Sequence, residues 1–274
     1  MINALRISFR ILSFCSILLL PGKNFSQVQD EGPAEINSSS SARVTFGADL
    51  VSRYLFRGKD FGNSPAIQPN VAFSVAGFKI CAWGSYGFVP YSQKVNDSTV
   101  VNMGNYAEFD PSLCYTLKGF TLSVTDYFFP NGLTQNKNNY FDYRSNTTGH
   151  SFELSLAYSG PDKFPVQLFA GTMIYGADKG KDADGTWGLG TKNNYSTYFE
   201  AAYPFTVKGI GIKPFIGGIP FGSGWYGPTA GIINTGITVS KTIQVTKDFG
   251  IPVYASVVAN PQTQCIFFVF GLTL

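Results

Sequence analysis

The sequence predicts an all-β chain that closes into a single antiparallel transmembrane barrel of about twelve strands. Three observations carry this reading. Charged residues make up only 14% of the chain, against roughly 25% in soluble domains, while aromatics reach 16% and Gly is abundant; strands that face lipid and end in aromatic girdles call for that balance. Apolar and polar residues alternate by twos along one stretch after another, so each strand has an apolar face and a polar one. The connections alternate between short Gly-bearing turns and long polar loops, the pattern of barrels with short periplasmic turns and longer outer loops. No apolar run after residue 21 reaches the roughly 20 residues a spanning helix requires.

Ahead of the barrel, Arg6 and Arg10 precede an apolar stretch 11–20 that is broken by Pro21 and Gly22. This reads as a secretory signal over 1–27, with cleavage near 26–28. Cys15 follows Phe14, too large a residue for a lipoprotein signal. Residues 28–42, with the serine run Ser38 to Ser41, read as a flexible polar lead-in, and the barrel as 43–274. With Arg6, Arg10 and Lys23 inside the signal, 17 basic residues remain against 17 acidic ones. The basic balance thus belongs to the signal, and no basic face for nucleic acid is left.

The stretch 44–75 organises the chain that follows. Val44, Phe46, Ala48, Leu50, Tyr54 and Phe56 share one face of a first strand over 44–56, with Ser52 among them, and Asp49, Arg53 and Arg57 share the other. A polar loop from Gly58 to Pro65 leads to a second strand, from Ala66 through Val75. Ala76-Gly77 turns into the third strand, with Phe78, Ile80, Ala82, Tyr86 and Phe88 opposite Lys79, Cys81, Trp83 and Ser85. After a long polar connection, the fourth strand (106–117) sets Phe109, Leu113, Tyr115 and Leu117 against Glu108, Asp110, Ser112 and Thr116. Lys118-Gly119 turns into the fifth (120–129), where Asp126 falls on the apolar face and calls for a bulge or a strand end.

The sixth strand (151–159) alternates without a break, Phe152, Leu154, Leu156 and Tyr158 against Ser151, Glu153, Ser155 and Ala157. The seventh (166–175) follows a Pro-marked turn. The eighth (195–207) opposes Phe199, Tyr203 and Phe205 to Ser196 and Glu200, and Lys208-Gly209 turns it into the ninth (210–221). The tenth (229–245), eleventh (251–259) and twelfth (264–274) complete an even count, the last alternating Ile266, Phe268, Phe270, Leu272 and Leu274. An even count with long loops after odd strands places both ends of the barrel on the periplasmic side.

Several of these stretches resemble one family. VSRYLFRG at Val51, SPAIQPN at Ser64, EFDPSLCYTLKGF at Glu108, TDYFFPN at Thr125 and TYFEAAYPF at Thr197 are similar to the TorF-type porin-like proteins, a family of bacterial outer-membrane barrels. The resemblance spans most of the chain after Ala42. It implies a barrel in the bacterial outer membrane with a pore role, and brings no catalytic motif.

By parity, the charges that face inward are Asp49, Arg53, Arg57, Lys79, Glu108, Asp110, Glu153, Glu200 and Lys213. Rings of charge along a lumen set its ion preference, so these are the candidate pore-lining residues. The competing reading is that opposite charges pair across the barrel and fill it. A twelve-stranded barrel is wider than those that side chains fill and much narrower than general porins, which predicts a narrow lumen of mixed charge. The expected function is passive diffusion of small solutes through the outer membrane; the alternative is a non-conducting barrel that works through its outer loops as a surface-binding or structural component. The expected partners are outer-membrane lipid, the barrel-assembly machinery and small solutes.

Other chemistry has weaker support. Asp178, Asp182 and Asp184 before Gly185 have the spacing of oxygen ligands for calcium, but Lys179 and Lys181 intrude and no closing Glu follows; a solvated loop is the reading, with no metal or other cofactor. His150 adjoins Ser151, and neighbours on a strand point to opposite faces, so they form no nucleophile–base pair and no enzyme is expected. Cys81 and Cys114 share the inward face of consecutive strands. A bridge between them needs Cα atoms within about 7 Å, and small inward residues that happen to be Cys is the alternative.

Overall fold

A computed structural model describes residues 42–96, 99–130, 139–186 and 188–274. The signal over 1–27 and all but the last residue of the lead-in lie outside these residues. In chain order the strands are β1 (Arg43–Val51), β2 (Tyr54–Phe56), β3 (Lys59–Phe61), β4 (Ala66–Val75), β5 (Phe78–Gly87), β6 (Tyr91–Asn96), β7 (Thr99–Gly104), β8 (Ala107–Leu117) and β9 (Phe120–Phe128). They continue as β10 (His150–Ser159), β11 (Gln167–Gly176), β12 (Thr197–Ala202), β13 (Phe205–Val207), β14 (Ile210–Ile219), β15 (Gly231–Gln244), β16 (Gly250–Asn260) and β17 (Cys265–Thr273).

One antiparallel sheet runs through β12-β11-β10-β9-β8-β5-β4-β1-β17-β16-β15-β14-β13, and β12 also pairs with β14. That pairing closes the sheet on itself. β12 and β13 both lie on β14 and are one wall strand broken at Tyr203-Pro204, where Pro204 lacks the N–H that the ladder requires. The wall therefore has twelve strands, closed and all antiparallel, as the alternation predicts. β2 and β3 pair only with each other, as do β6 and β7.

The short turns repeat one geometry. Ala76-Gly77, Lys118-Gly119 and Lys208-Gly209 each carry positive φ at both central residues, as the two-residue turns that match strand twist require. The other end of the barrel carries the long connections, one of which includes the β6–β7 hairpin. Residues on the outside are apolar along every wall strand, among them Phe46, 80% exposed, and Ile266 and Phe268, about two-thirds exposed. A belt of that kind is stable against hydrocarbon, and the closed wall pairs the backbone groups that hydrocarbon cannot.

The inside is divided. Toward the long loops, the inward residues Trp83, Tyr127, Met173, Tyr198, Ile219 and Ile233 form one buried cluster with Tyr54, Phe56 and Tyr226. Toward the short turns the inward residues are mostly small or hydroxylated, and Lys79, Cys114, Ser123, Lys213, Ser240 and Thr273 are only half-buried. Packing of aromatic side chains fills one half of the lumen and leaves the other accessible.

The first strand corrects the sequence reading. The continuous strand over 44–56 ends at Val51 in the structure. Ser52 and Arg53 form a bend, and Tyr54, Leu55 and Phe56 are buried inside the barrel instead of Tyr54 and Phe56 facing lipid. The physical reason is that the lumen's outer half offers these rings a full set of apolar neighbours, and parity along a strand cannot report where the strand bends inward.

Candidate functional site

The site is the hairpin β2–β3 and what holds it. Its turn, Arg57-Gly58, has φ of 49° and 77°, the same geometry as the short turns of the wall. Gly58 is required twice over: its φ suits glycine, and a Cβ there would lie 1.9 Å from the Ile233 carbonyl oxygen. Ile233 comes this close because β15 is bulged, with register slipping opposite Gly217/Gly218. The Asn260 amide donates to the Gly58 carbonyl at 3.0 Å. The hairpin tip is thus pinned to the wall on the far side of the lumen.

Arg57 is the centre of the plug. Its guanidinium forms a bidentate pair with Glu153 of β10, 2.5 Å to Oε2 and 2.9 Å to Oε1, with both side chains almost wholly buried. It also donates to the Tyr226 hydroxyl. The rings of Phe56, Tyr198 and Phe169 lie 4.6–4.8 Å from its central carbon, close enough for cation–π attraction in a desolvated site. The Tyr127 hydroxyl donates to Glu153 at 3.3 Å. Gly171 of β11 leaves room for this carboxylate, since a Cβ there would sit 2.7–2.8 Å from it. Fork geometry and delocalised charge suit arginine to this position where lysine would satisfy only part of it.

Further contacts fix the hairpin's flanks. Arg53 donates to Asp60 at 2.7 Å, across the base of the hairpin, and lies over the Phe267 ring. Lys59 donates to the Trp225 carbonyl at 2.6 Å. Trp225 and Tyr226 come from the loop between β14 and β15, which is itself anchored: the Ser223 hydroxyl donates to Ser196 at 2.6 Å, and the Ser196 amide and hydroxyl donate to Asp178. Burial pushes the Asp178 carboxyl up, and the bonds from Ser196 oppose that shift. Asp182 instead closes a turn, accepting from the amides of Asp184 and Thr186 at 3.0 and 2.8 Å. The acidic residues of this loop therefore face different partners.

The nine inward charges fall into three places. Arg57, Glu153, Glu108 and Asp110 are buried in the plugged half. Glu108 accepts from Tyr106 at 2.7 Å, and Glu200 accepts from Asn234 at 2.9 Å and from Tyr198. Asp49, Lys79 and Lys213 face the accessible half; Asp49 accepts from Thr273 at 2.6 Å. Arg53 is the departure: it lies on the bend below the hairpin, not on the wall of β1, and Arg57 reaches the lumen from a turn, not from a strand. The register sets Cys81 opposite Ser112 and Cys114 opposite Lys79, so the two cysteines are diagonal neighbours and both are free thiols.

Sequence reasoning missed the hairpin, Tyr226 and Trp225. One signal was present: Arg57-Gly58 repeats the X-Gly pattern of Ala76-Gly77, Lys118-Gly119 and Lys208-Gly209, so a tight hairpin over 54–61 was open to reading.

Asp126 is satisfied by tertiary contact on the outer wall, at the end of β9. Its carboxylate accepts from His150 Nδ1 at 2.9 Å, and His150 Nε2 meets the Tyr140 carbonyl at 2.7 Å. A carbonyl only accepts, so Nε2 carries a proton. The imidazole is stacked between Phe128 and Tyr143, centroids 4.6 and 4.4 Å away. Segment 139–149 is thereby strapped over the wall, with Tyr175 donating to the Tyr143 carbonyl at 2.6 Å. Arg144 and then Thr147 bond Asp142 in this strap and hold its carboxyl well below the usual carboxylate range. Asp126→Ala leaves Nδ1 buried without its acceptor, a loss of about 1–3 kcal/mol. Limited proteolysis of assembled barrels is expected to cut within 139–149 faster in this variant, and an unchanged rate would count against the strap's dependence on His150.

Residues 35–164 match the model of a family described as "Bacterial protein of unknown function (Gcw_chp)". No curated protein matches the chain. Among solved structures, the chain is similar to one described as "Salmonella typhi OmpF complex with Daunomycin", with 8% identity, 86% of this chain and 98% of that chain covered, and a TM-score of 0.34. A likeness this loose carries no argument.

Proposed function

We propose that this chain is a bacterial outer-membrane channel for passive diffusion of small solutes, closed in the described conformation by the β2–β3 hairpin, and that its short turns face the periplasm. The resemblance of VSRYLFRG and SPAIQPN to the TorF-type porin-like proteins supports the setting. The observation that carries the reading is the divided lumen. A barrel built only as a scaffold has no need of an interior lined by hydroxyls and lysines, yet the half nearer the short turns has one. What blocks the other half is chiefly a hairpin and a loop, Tyr54 to Phe61 and the segment bearing Tyr226, and not wall residues alone. Lipid and the barrel-assembly machinery are the partners such a wall requires, and the chain has no catalytic role on this reading.

The filled outer half also favours a second reading, a non-conducting barrel that works through its outer loops. Conductance in a planar bilayer separates the two. If the barrel conducts, the accessible half sets its preference, because Lys79 and Lys213 face it while Asp49 is engaged by Thr273. Anion preference is expected, and Lys79→Gln with Lys213→Gln shifts the reversal potential in a salt gradient toward cations. An unchanged reversal potential in a conducting variant overturns this assignment of the lining, and no current under any condition favours the second reading.

A further inference from the structure

The seam between β1 and β17 is incomplete in a way that matches the plug. Asp49 faces Thr273, Leu50 faces Leu272 and Val51 faces Gly271. Main-chain bonds on this seam join Ala48 to Leu274 in both directions, and the Ser52 amide donates to the Phe270 carbonyl. There the pairing stops, because the chain turns inward. β17 continues outward to Cys265, paired on its other side with β16 through Phe268 opposite Val257 and Ile266 opposite Ala259. In an antiparallel ladder the residues that bond to one neighbour alternate with those that bond to the other. Leu274 and Phe270 bond toward β1, so Phe268 and Ile266 also aim their N–H and C=O groups toward β1's side. Among the described residues no strand pairs with them there. Their side chains face outward at about two-thirds exposure, and hydrocarbon at that edge cannot satisfy backbone groups.

The inward hairpin has the matching edge. Extending the β1–β17 register sets Tyr54 opposite Phe268 and Phe56 opposite Ile266, with Arg53, Leu55 and Arg57 turned to the lumen. That is the alternation the sequence carries. The bend has hinge geometry on both arms: Ser52 and Arg53 on one, and Gly62 and Asn63 with φ of 85° and 44° on the other. The hairpin's own ladder, Tyr54 with Phe61 and Phe56 with Lys59, is local and survives a rotation about these residues.

Resting on the channel reading above, we propose that the β2–β3 hairpin is a gate with two seats. In one it plugs the lumen, latched by Arg57 on Glu153; in the other it swings outward, β2 pairs with Ile266 to Phe268 of β17, and the same movement completes the wall and opens the lumen. The free edge of β17 is the second seat. Exchange of the buried Arg57 contacts for backbone pairing and lipid contact of Tyr54 and Phe56 makes the two seats comparable, and weakening the latch shifts the population.

The test is a disulfide trap. With Cys81, Cys114 and Cys265 replaced by Ser, Tyr54→Cys and Phe268→Cys are combined, and assembly is checked by heat-modifiable mobility. Tyr54 in the plug lies inside the lumen and Phe268 points outside, so only the outward seat allows the bond. Oxidation is expected to accumulate crosslink slowly, and E153Q to speed it about tenfold by shifting the population toward the outward seat. The crosslinked barrel conducts, and reduction returns it to the low-conductance state. If E153Q impairs assembly, the trap with Glu153 intact still decides, because rare excursions accumulate as crosslink. Conducting barrels that never crosslink overturn the gate and leave the channel reading intact. Crosslinked barrels that carry no current overturn both the opening and the channel. Crosslinks between chains through Phe268→Cys alone, without the intramolecular bond, overturn the gate in favour of a second copy on that edge.

Discussion

Replacing Arg57 by Met is expected to lower the unfolding free energy of the assembled barrel by about 3–5 kcal/mol, since it leaves a buried carboxylate without its partner. Glu153 would lose both bonds of its fork, 2.5 and 2.9 Å, and keep only the long one from Tyr127. The four rings around the guanidinium would lose their cation as well. Arg57→Lys is expected to recover part of the loss, because one ammonium cannot reproduce a bidentate pair. Arg57→Met with Glu153→Leu is expected to recover most of it, because replacing both partners of a buried pair by apolar groups removes the desolvation cost together with the attraction. Urea unfolding in micelles gives the four free energies for the cycle. Additive losses in the double variant would mean that the two residues act independently, against the geometry.

The second large effect tests which side of the wall meets lipid. Leu122 lies in the middle of β9, opposite Leu156 and Tyr115 and half exposed on the outside, while Ser123 faces the lumen opposite Ser155 and Cys114. Leu122→Arg puts a charge against hydrocarbon and is expected to cost about 2–4 kcal/mol near the midplane. Ser123→Arg puts the same charge into the accessible half of the lumen, where water screens it, and is expected to cost much less. The folded fraction by heat-modifiable mobility in vesicles separates them. Equal losses would argue against an outward lipid face, and with it against a membrane barrel.

The fold was legible because a barrel wall writes itself into local pattern. Every wall strand needs one face for lipid and one for the lumen, and the period of two records that choice at each residue. Leu154 and Glu153, or Phe109 and Asp110, announce their sides in sequence and take those sides in the structure. The tight turns are equally local, since positive φ at two successive positions favours the X-Gly pairs at Ala76, Lys118 and Lys208. Pro204 likewise shows where a ladder must break.

The site was less legible, for two physical reasons. Alternation says which residues share a face but not where a strand ends, so Tyr54 and Phe56 read as lipid-facing although they fill the lumen. Contact partners across the barrel are separated by long stretches of chain: Glu153 is 96 residues from Arg57, and Tyr226 is 169. No local pattern encodes those distances.

The sequence by itself determined a closed antiparallel wall, its lipid face, the inward side of most of its charges and the alternation of short and long connections. All of these follow from nearest-neighbour geometry and from a solvent that accepts no unpaired backbone. Only the tertiary structure decided that the lumen is half filled, that Arg57 and Glu153 neutralise each other at its centre, that Asp126 is rescued by His150 under a strap, and that the edge of β17 lies uncovered where the hairpin leaves it. Each of these depends on which distant surfaces meet when the sheet curls shut. Closure brings β1 against β17 and β10 across from the first loop, and the burial available inside outweighs the strand pairing that Tyr54 and Phe56 give up at the seam.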